Sequence, residues 1–361
     1  MAEKFPDFRP DYAVHPGETL AEILEERDMS QSELAERMGR PKKAINEIVK
    51  GKAAITEDTA IQLERVLGVP AYFWLNLQTI YREAIARMAE RSRLKGQEDF
   101  LRQFPIREMV RRKWLDDGHD KVDQLILLMR FFGVASPQAW ETRTATYRAS
   151  RAHKADPGPL SVWLRKGELE AEAIQTAPFD AKRFRTVLSQ LRAMTSDDPR
   201  VFTPKMVDMC ASAGVALVFV KEFPKCPSGA TYWLNAQKAV IQLSLRYKLA
   251  DQFWFTFYHE AGHVLQLQKD GVIFAGNQSQ AAESSADAFA CDMLIPPNEL
   301  SEFLQTHRGD IINTSDILRF AKNIGITPGC VVGRLQHDGI VPYSHFNGLK
   351  VKYVWAVEKA E

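Results

Sequence analysis

Two histidines and a glutamate lie within five residues of one another in the segment FYHEAGHVLQ, which begins at Phe257. His259 and His263 are four positions apart, so on an α-helix they share one face with Cβ atoms about 6 Å apart. Two imidazoles placed in this way can bind one Zn²⁺ ion at roughly 2.0–2.1 Å each. The helix itself is predicted by an apolar stripe at helical spacing, formed by Phe253, Phe257, Ala261, Val264 and Leu265.

A catalytic zinc ion needs a third protein ligand and one open position for water. Twenty residues after His263, the segment AAESSADAFACDMLIPP offers Glu283 and Asp287, again four positions apart on one helix face. We predict that Glu283 is the third ligand and that Asp287 accepts the outer N–H of a ligand histidine, which fixes the tautomer. Glu260 is then the predicted catalytic residue, a general base for water. The alternative is a histidine pair on a polar helix face beside a surface glutamate.

A second functional pattern lies near the start of the chain, in SQSELAERMGRPKKAINEIVKGKAAIT, which has helix-turn-helix spacing. Ser30 is a predicted N-cap with Glu33 completing a capping box, and Gly39 is predicted to end the first helix. Pro41 is predicted to lie in the first turn of the second helix. A proper helix-turn-helix places its second helix in the DNA major groove.

Basic and amide side chains are predicted to face outward from this motif and to contact DNA. Lysine suits phosphate or guanine, and asparagine can pair with adenine. The predicted DNA-binding residues are Gln31, Lys42, Lys43, Asn46, Lys50 and Lys52. The alternative is a helical hairpin with solvated lysines.

Composition fits a globular protein, with 45% hydrophobic and 26% charged residues among 361. The 47 basic and 46 acidic side chains leave a net charge of +1, so affinity for DNA must come from a local patch. The opening residues have no apolar core of a signal peptide, and we expect a cytoplasmic protein that does not contact membranes. The four cysteines, with no CxxC pair, are expected to be reduced and buried.

The pattern along the chain predicts a multidomain, mainly α protein. Residues 1–90 are expected to form a lambda-repressor-like helix-turn-helix bundle, 91–205 a helical linking region, and 206–361 an α+β zincin-like domain. In the last domain GVALVFV, GATYWLN and KAVIQLS are predicted strands, helices run from 250 to about 338, and LKVKYVWAV is predicted to close as a short strand.

The residues of the C-terminal pattern resemble the gluzincins and, more closely, the ImmA/IrrE family of metallopeptidase domains. The resemblance spans about 214–340 and depends on DQFWFTFYHEAGHVLQLQ, ESSADAFACDMLIPP and GATYWLNAQKAVIQLS. It implies His259, His263 and Glu283 as zinc ligands, Glu260 as catalytic, and a repressor or other regulatory protein as substrate. That family often has asparagine where this chain has Asp287, and aspartate can accept the same hydrogen bond.

The N-terminal segment, about 12–90, is similar to the Cro/repressor-like (XRE) family and most similar to HigA-type antitoxins. This resemblance implies binding to operator DNA, often as a homodimer, and neutralisation of a small ribonuclease toxin.

Three interpretations of the whole chain remain open at this stage. The first is a regulator with an active zinc peptidase. The second is a non-catalytic antitoxin or repressor whose zincin fold serves only metal or partner binding, and the third, which the sequence favours least, is a general metalloprotease that DNA binding merely localises. The donor for transition-state charge also stays open among Tyr232, Tyr258, His307, His337, Tyr343 and His345.

Overall fold

The computed structural model describes residues 12–148, 156–266, 272–274, 280–308 and 311–355. The expectation about a signal peptide depends mostly on residues 1–11, and these lie outside the described residues. The chain divides into two compact units, residues 1–99 and 100–361. The protein is mainly helical, as expected, and the three-domain division stays a prediction.

The N-terminal unit consists of helices joined by short turns. Its helices are α1 (Pro16–Glu26), α2 (Gln31–Met38), α3 (Lys42–Val49), α4 (Glu57–Leu67) and α5 (Ala71–Leu94). Helix α5 extends past residue 90, the predicted end of the helix-turn-helix bundle. It is followed by a 3₁₀ helix, Glu98–Gln103.

Local capping explains where the helix-turn-helix begins and ends. The Ser30 hydroxyl accepts the backbone N–H of Glu33 at 3.1 Å, and Gly39 ends α2 in the left-handed conformation at φ 63°. Only this half of the predicted capping box forms, and the Glu33 carboxylate accepts a hydrogen bond from Arg37 instead. Pro41 is the N-cap of α3 and not, as predicted, part of its first turn.

An apolar core holds α2 and α3 in the predicted arrangement. Leu34, Ala35 and Met38 on α2 are buried together with Ile45 and Ile48 on α3. Ala35 is 3% exposed, and its small side chain lies in the core that α2 and α3 share. The predicted helix-turn-helix is therefore formed by the residues that the sequence assigned to it.

The C-terminal unit surrounds a small sheet with helices. Its helices are α6 (Ile106–Arg111), α7 (Lys121–Phe132), α8 (Pro137–Arg148), α9 (Pro157–Ala173), α10 (Ala181–Arg192), α11 (Pro199–Ser212), α12 (Ala250–Gln266), α13 (Gln280–Leu294), α14 (Pro297–Thr306), α15 (Thr314–Ile324) and α16 (Pro328–His337). The strands are β1 (Val215–Phe219), β2 (Gly229–Asn235), β3 (Lys238–Leu243) and β4 (Val272–Phe274).

The sheet is mixed, with strand order β1-β3-β2-β4. Strands β2 and β3 form the predicted antiparallel hairpin, while β1 pairs with β3 in parallel. Strand β4 pairs antiparallel to β2 and was not predicted. One side of the sheet contacts α12, which brings β2 beside the helix that carries both histidines.

Helices from the middle of the chain pack into the same core as the sheet. Phe184 and Leu188 on α10 and Phe202 on α11 are buried with Val215 of β1. The Arg192 guanidinium donates to the backbone carbonyls of Leu294, at 2.9 Å, and Ile324, at 2.8 Å. Because these carbonyls lie at the ends of α13 and α15, Arg192 satisfies acceptors that a helix leaves unpaired.

Three further expectations can be compared with the structure: the closing strand, the state of the cysteines and the membrane helices. The predicted closing strand LKVKYVWAV is wrong over its described residues: they form the end of a 3₁₀ helix and a single bridge from Lys352 to Leu249. The four cysteines are unpaired, as expected, although Cys291 is only half-buried. None of the described helices combines the length and apolar character required to span a membrane.

Candidate metal centre and nucleic-acid interface

Helix α12 is buried on nearly every side. Phe253, Phe257, Ala261 and Val264 form the predicted apolar stripe and are buried. The two predicted ligands and the predicted base on this helix are buried as well: His259 is 8% exposed, Glu260 1% and His263 1%. The alternative of a surface histidine pair with a solvated glutamate therefore does not describe this helix.

Gly262 allows α12 and α13 to approach closely. A Cβ atom at this position would lie 3.2 Å from Cδ1 of Phe289 and 3.3 Å from Cα of Ala286. A side chain here would require Phe289 or Ala286 to move by a few tenths of an ångström, since these contacts are tighter than ordinary van der Waals contacts. The glycine between the two histidines thus helps to bring Glu283 on α13 to the imidazoles on α12.

The three predicted ligands converge on one point. His259 Nε2 lies 3.1 Å from His263 Nε2 and 3.4 Å from Glu283 Oε2, and His263 Nε2 lies 3.7 Å from Glu283 Oε1. Ligands bound tetrahedrally to Zn²⁺ at about 2.0–2.1 Å stand about 3.3 Å apart. Of the described residues, this is the one group of three or more such donors whose ligand atoms lie close enough to share an ion.

An unpaired oxygen supports the fit of this donor set to a metal ion. Glu283 Oε1 is buried and has no hydrogen-bond partner among the described residues. A buried carboxylate oxygen without a partner is costly, and a cation bound by it would remove that cost. Two imidazoles and one carboxylate are also a common zinc-binding set.

Asp287 orients the first histidine. His259 Nδ1 lies 2.9 Å from Asp287 Oδ1, so the Nδ1–H donates to the carboxylate and Nε2 faces the other ligands. Burial disfavours the charged form of His259, but this hydrogen bond and the nearby carboxylates outweigh it and raise its pKa. The same hydrogen bond lowers the pKa of Asp287, while burial and the neighbouring His259 lower the pKa of His263 to about 4.

Glu260 faces the sheet, where β2 holds its carboxylate. Thr231 Oγ1 donates to Glu260 Oε2 at 2.7 Å, and Thr231 is 0% exposed. Burial raises the pKa of Glu260 to about 7, against the effects of His259 and of the Thr231 hydrogen bond. Thr231 was missed by sequence analysis because it lies 29 residues before Glu260, and no local pattern connects a strand threonine to a helix glutamate.

The structure separates the six candidate donors for transition-state charge. Tyr258 donates to the Leu188 carbonyl, Tyr232 to Gln242, and His307 bonds the Phe303 carbonyl, so these three are committed elsewhere. Tyr343 and His345 are exposed near the end of the chain. His337 is exposed, and its ring lies 6.4 Å from Phe255, whose ring in turn lies 6.1 Å from His259.

The predicted DNA contacts lie on the helix-turn-helix with their charged groups available. Lys42 and Lys43 begin α3, Lys50 follows its last residue and Lys52 is in the next turn; all four are exposed. Gln31 begins α2 and Asn46 lies mid-way along α3, and both are half-buried. Lys43 pairs loosely with Glu47, at 3.8 Å, with 84% of the lysine side chain exposed.

Backbone packing fixes the end of α3. A Cβ atom at Gly17 would lie 2.1 Å from the Ile48 carbonyl oxygen, so the start of α1 packs directly against the end of α3. His15 caps α1 by accepting the Gly17 N–H at 2.9 Å, and its ring meets Tyr81 of α5 edge-on at 4.6 Å. The C-terminal end of the lysine-bearing helix α3 is therefore fixed against the start of α1.

Comparisons with known proteins concern this N-terminal unit. A helix-turn-helix family model matches residues 20–74. Virulence-associated protein I of Dichelobacter nodosus is 41% identical over 81 residues, 22% of this chain and 75% of that protein. The uncharacterized HTH-type transcriptional regulator YddM of Escherichia coli (strain K12) is 36% identical over 81 residues, 22% of this chain and 86% of that protein.

Among solved structures, the Pseudomonas aeruginosa antitoxin HigA with the higBA promoter is 36% identical, over 24% of this chain and 94% of that one, with a TM-score of 0.23. These relatives show that the chain belongs to the helix-turn-helix family of DNA-binding regulators. The matched residues lie within its N-terminal unit, which contains the helix-turn-helix.

Proposed function

We propose that this protein is an operator-binding regulator of the antitoxin type whose C-terminal unit is a zincin-like, zinc-dependent peptidase of the ImmA/IrrE kind that cleaves a regulatory protein. The observation that carries the second half is the convergence of His259, His263 and Glu283, with ligand atoms within 4.8 Å of one another. The first half is supported by the helix-turn-helix and its four exposed lysines.

Each side chain of the centre has a separate task. His259, His263 and Glu283 would hold the ion, and Asp287, bonded to His259 Nδ1, would keep Nε2 turned toward it. When bound, Zn²⁺ would act as a Lewis acid and favour deprotonation of water. Glu260 accepts the proton of the attacking water and returns it to the leaving amine, which is the usual work of a general base beside such an ion.

The metal half is tested by the zinc content of protein purified from zinc-replete cells. We expect one zinc per chain in the parent and near zero in His259→Ala and Glu283→Ala. His345→Ala, which removes an exposed histidine, is the matched control and keeps its zinc. Metal-free parent protein would refute the metal centre.

The catalytic step is tested by co-expressing the chain with the products of neighbouring open reading frames and measuring intact masses. We expect a truncated product with the parent and none with Glu260→Gln, which keeps its zinc. Cleavage that is unchanged in Glu260→Gln would refute its role as base. A zinc-loaded parent that cleaves nothing would favour the non-catalytic antitoxin or repressor.

The DNA half is tested by gel-shift with the promoter of its own gene. Loss of a bidentate asparagine–adenine contact costs about 1–3 kcal/mol, so Asn46→Ala should bind roughly 5- to 150-fold more weakly. Lys43→Ala should also weaken binding, and parent-like affinity of both variants would mean that α3 does not read DNA. The same preparation tests two partners: a homodimer, by its mass in solution, and a small ribonuclease toxin, by co-purification.

A further inference from the structure

The carboxylate of Glu260 is bound to the sheet and not to the ligand cluster. Its Oε2 accepts the Thr231 hydroxyl at 2.7 Å, and Thr231 Oγ1 also lies 3.1 Å from the Glu260 backbone oxygen. Both side chains are buried, at 1% and 0% exposure. The orientation of Glu260 is therefore set by a partner on β2, outside the helix that carries it.

Gly229 provides the space that this orientation needs. It lies two residues before Thr231 on the same face of β2. A Cβ atom added to Gly229 would lie 2.6 Å from Glu260 Oε1 and 2.7 Å from Thr256 Cγ2. The Glu260 carboxylate thus occupies the volume that a side chain at position 229 would fill.

The carboxylate of Glu260 could instead bind the metal ion itself, which would block the reaction. Glu260 follows His259 directly in sequence, and the charges of His259 and Glu283 act on its carboxylate. Carboxylates are themselves good zinc ligands, whereas a catalytic site must keep one coordination position for water. A free carboxylate next to three ligands would compete for that fourth position.

We propose that Thr231 and Gly229 are positioning residues that keep Glu260 turned to the sheet, so that it serves the centre as a base and does not become a fourth ligand. This inference rests on the metal centre proposed above. Thr231 supplies the hydrogen bond, and Gly229 leaves room for the carboxylate to accept it.

The test measures metal affinity and the visible absorption of the Co²⁺-loaded protein, neither of which needs a substrate. Thr231→Val keeps the shape of the residue but removes the hydroxyl, so the buried Glu260 carboxylate gains by binding the ion. We expect tighter Zn²⁺ and Co²⁺ binding than in the parent and a shift of the Co²⁺ bands, because a carboxylate would replace water at the fourth position. Thr231→Ser, which keeps the hydroxyl, should return both readings to parent values.

The direction of the change in metal affinity distinguishes a loss of Glu260 positioning from general damage, because a destabilised fold would bind the metal more weakly. In the double variant Thr231→Val with Glu260→Gln, the added affinity should disappear. Gly229→Ala, which displaces the carboxylate sterically, should change the Co²⁺ bands in the same direction as Thr231→Val. Gly348→Ala is the matched control, because a Cβ atom there would meet no other atom within 4 Å.

The outcomes that would overturn the proposal are distinct from those that would overturn the metal centre. Parent-like affinity and bands in both Thr231→Val and Gly229→Ala would overturn the positioning role alone. Weaker binding in Thr231→Val that Glu260→Gln does not reverse would also overturn it. A parent that binds neither ion would overturn the metal centre and this inference together.

Discussion

The two units of this protein place their functional groups in opposite environments. The lysines of the helix-turn-helix are exposed, whereas the histidines and Glu260 of the other unit are almost completely buried. The difference matches what the two proposed partners, DNA and a metal ion, would require. A phosphate backbone is large and is met at the surface, while a metal ion needs donors already gathered and dehydrated. Substitutions of the exposed lysines should therefore separate binding from stability, and those of the buried histidines and Glu260 should not.

The largest expected effect comes from the core of the N-terminal unit. Ile45→Ala removes a 0% exposed side chain beneath the DNA-reading helix and should cost about 2–5 kcal/mol of unfolding free energy. Calorimetry should show a lower melting temperature for this unit and gel-shift a loss of operator binding, with zinc content unchanged. Ile80→Ala, which removes a 63% exposed side chain, is the control and should change stability by less than about 0.5 kcal/mol. Loss of zinc in Ile45→Ala would contradict the independence of the two units.

Metal removal should act on the other unit. A ligand present at 100 times its Kd stabilises the folded state by about 2.7 kcal/mol, so chelation should lower the melting temperature of the C-terminal unit. Operator affinity measured with the same chelator should not change. Equal melting curves with and without chelator, for zinc-loaded protein, would contradict a metal centre built into the core.

Asp287 should have an intermediate effect. Removing the partner of a ligand histidine commonly lowers metal affinity 10- to 100-fold, which is about 1.4–2.8 kcal/mol. We expect this loss in Asp287→Ala, measured by competition with a chromophoric chelator, because His259 Nδ1 loses its acceptor at 2.9 Å. Asp292→Ala, on the same helix and exposed, should bind like the parent. Equal losses in the two variants would mean that general charge, not orientation, matters.

The smallest effect is expected at a single exposed lysine. If Lys43 contacts phosphate, Lys43→Ala should reduce the slope of log affinity against log salt by about 0.9. Its unfolding free energy should stay within about 0.5 kcal/mol of the parent, since 84% of the side chain is exposed. Lys205→Ala, an exposed lysine of the other unit, should leave the slope unchanged. A slope equal to that of the parent would exclude Lys43 from the contacts.

What could be predicted from sequence was local. The caps at Ser30 and Gly39 and the pairs His259–His263 and Glu283–Asp287 are spacings within one helix, where geometry follows directly from sequence. The meeting of α12 with α13 was inferred from chemistry; the structure brings His259, His263 and Glu283 together, and their role as zinc ligands stays a prediction.

Contacts between distant segments could not be predicted in the same way. Thr231 meets Glu260 across a strand–helix interface, and the pattern of β2 contains no sign of it. Strand β4 is three residues long, too short for an alternating pattern to identify. The strand predicted at LKVKYVWAV has the right composition, but Lys352 is the one described residue there that pairs. A strand-like sequence pattern does not identify a strand when the fold offers no neighbouring strand for it to pair with.

The contact of α10 and α11 with the sheet has a practical consequence for dissecting the molecule. A truncated polypeptide that starts at residue 206 would lack Phe184, Leu188 and Phe202, each at most 1% exposed, as well as the guanidinium of Arg192 that caps two helices. Burial of such side chains is worth about 1.5–3 kcal/mol each, a large part of the 5–15 kcal/mol that keeps an average domain folded. Expression trials of the C-terminal unit should therefore begin near residue 100, because the shorter fragment would lose the hydrophobic support of its own sheet.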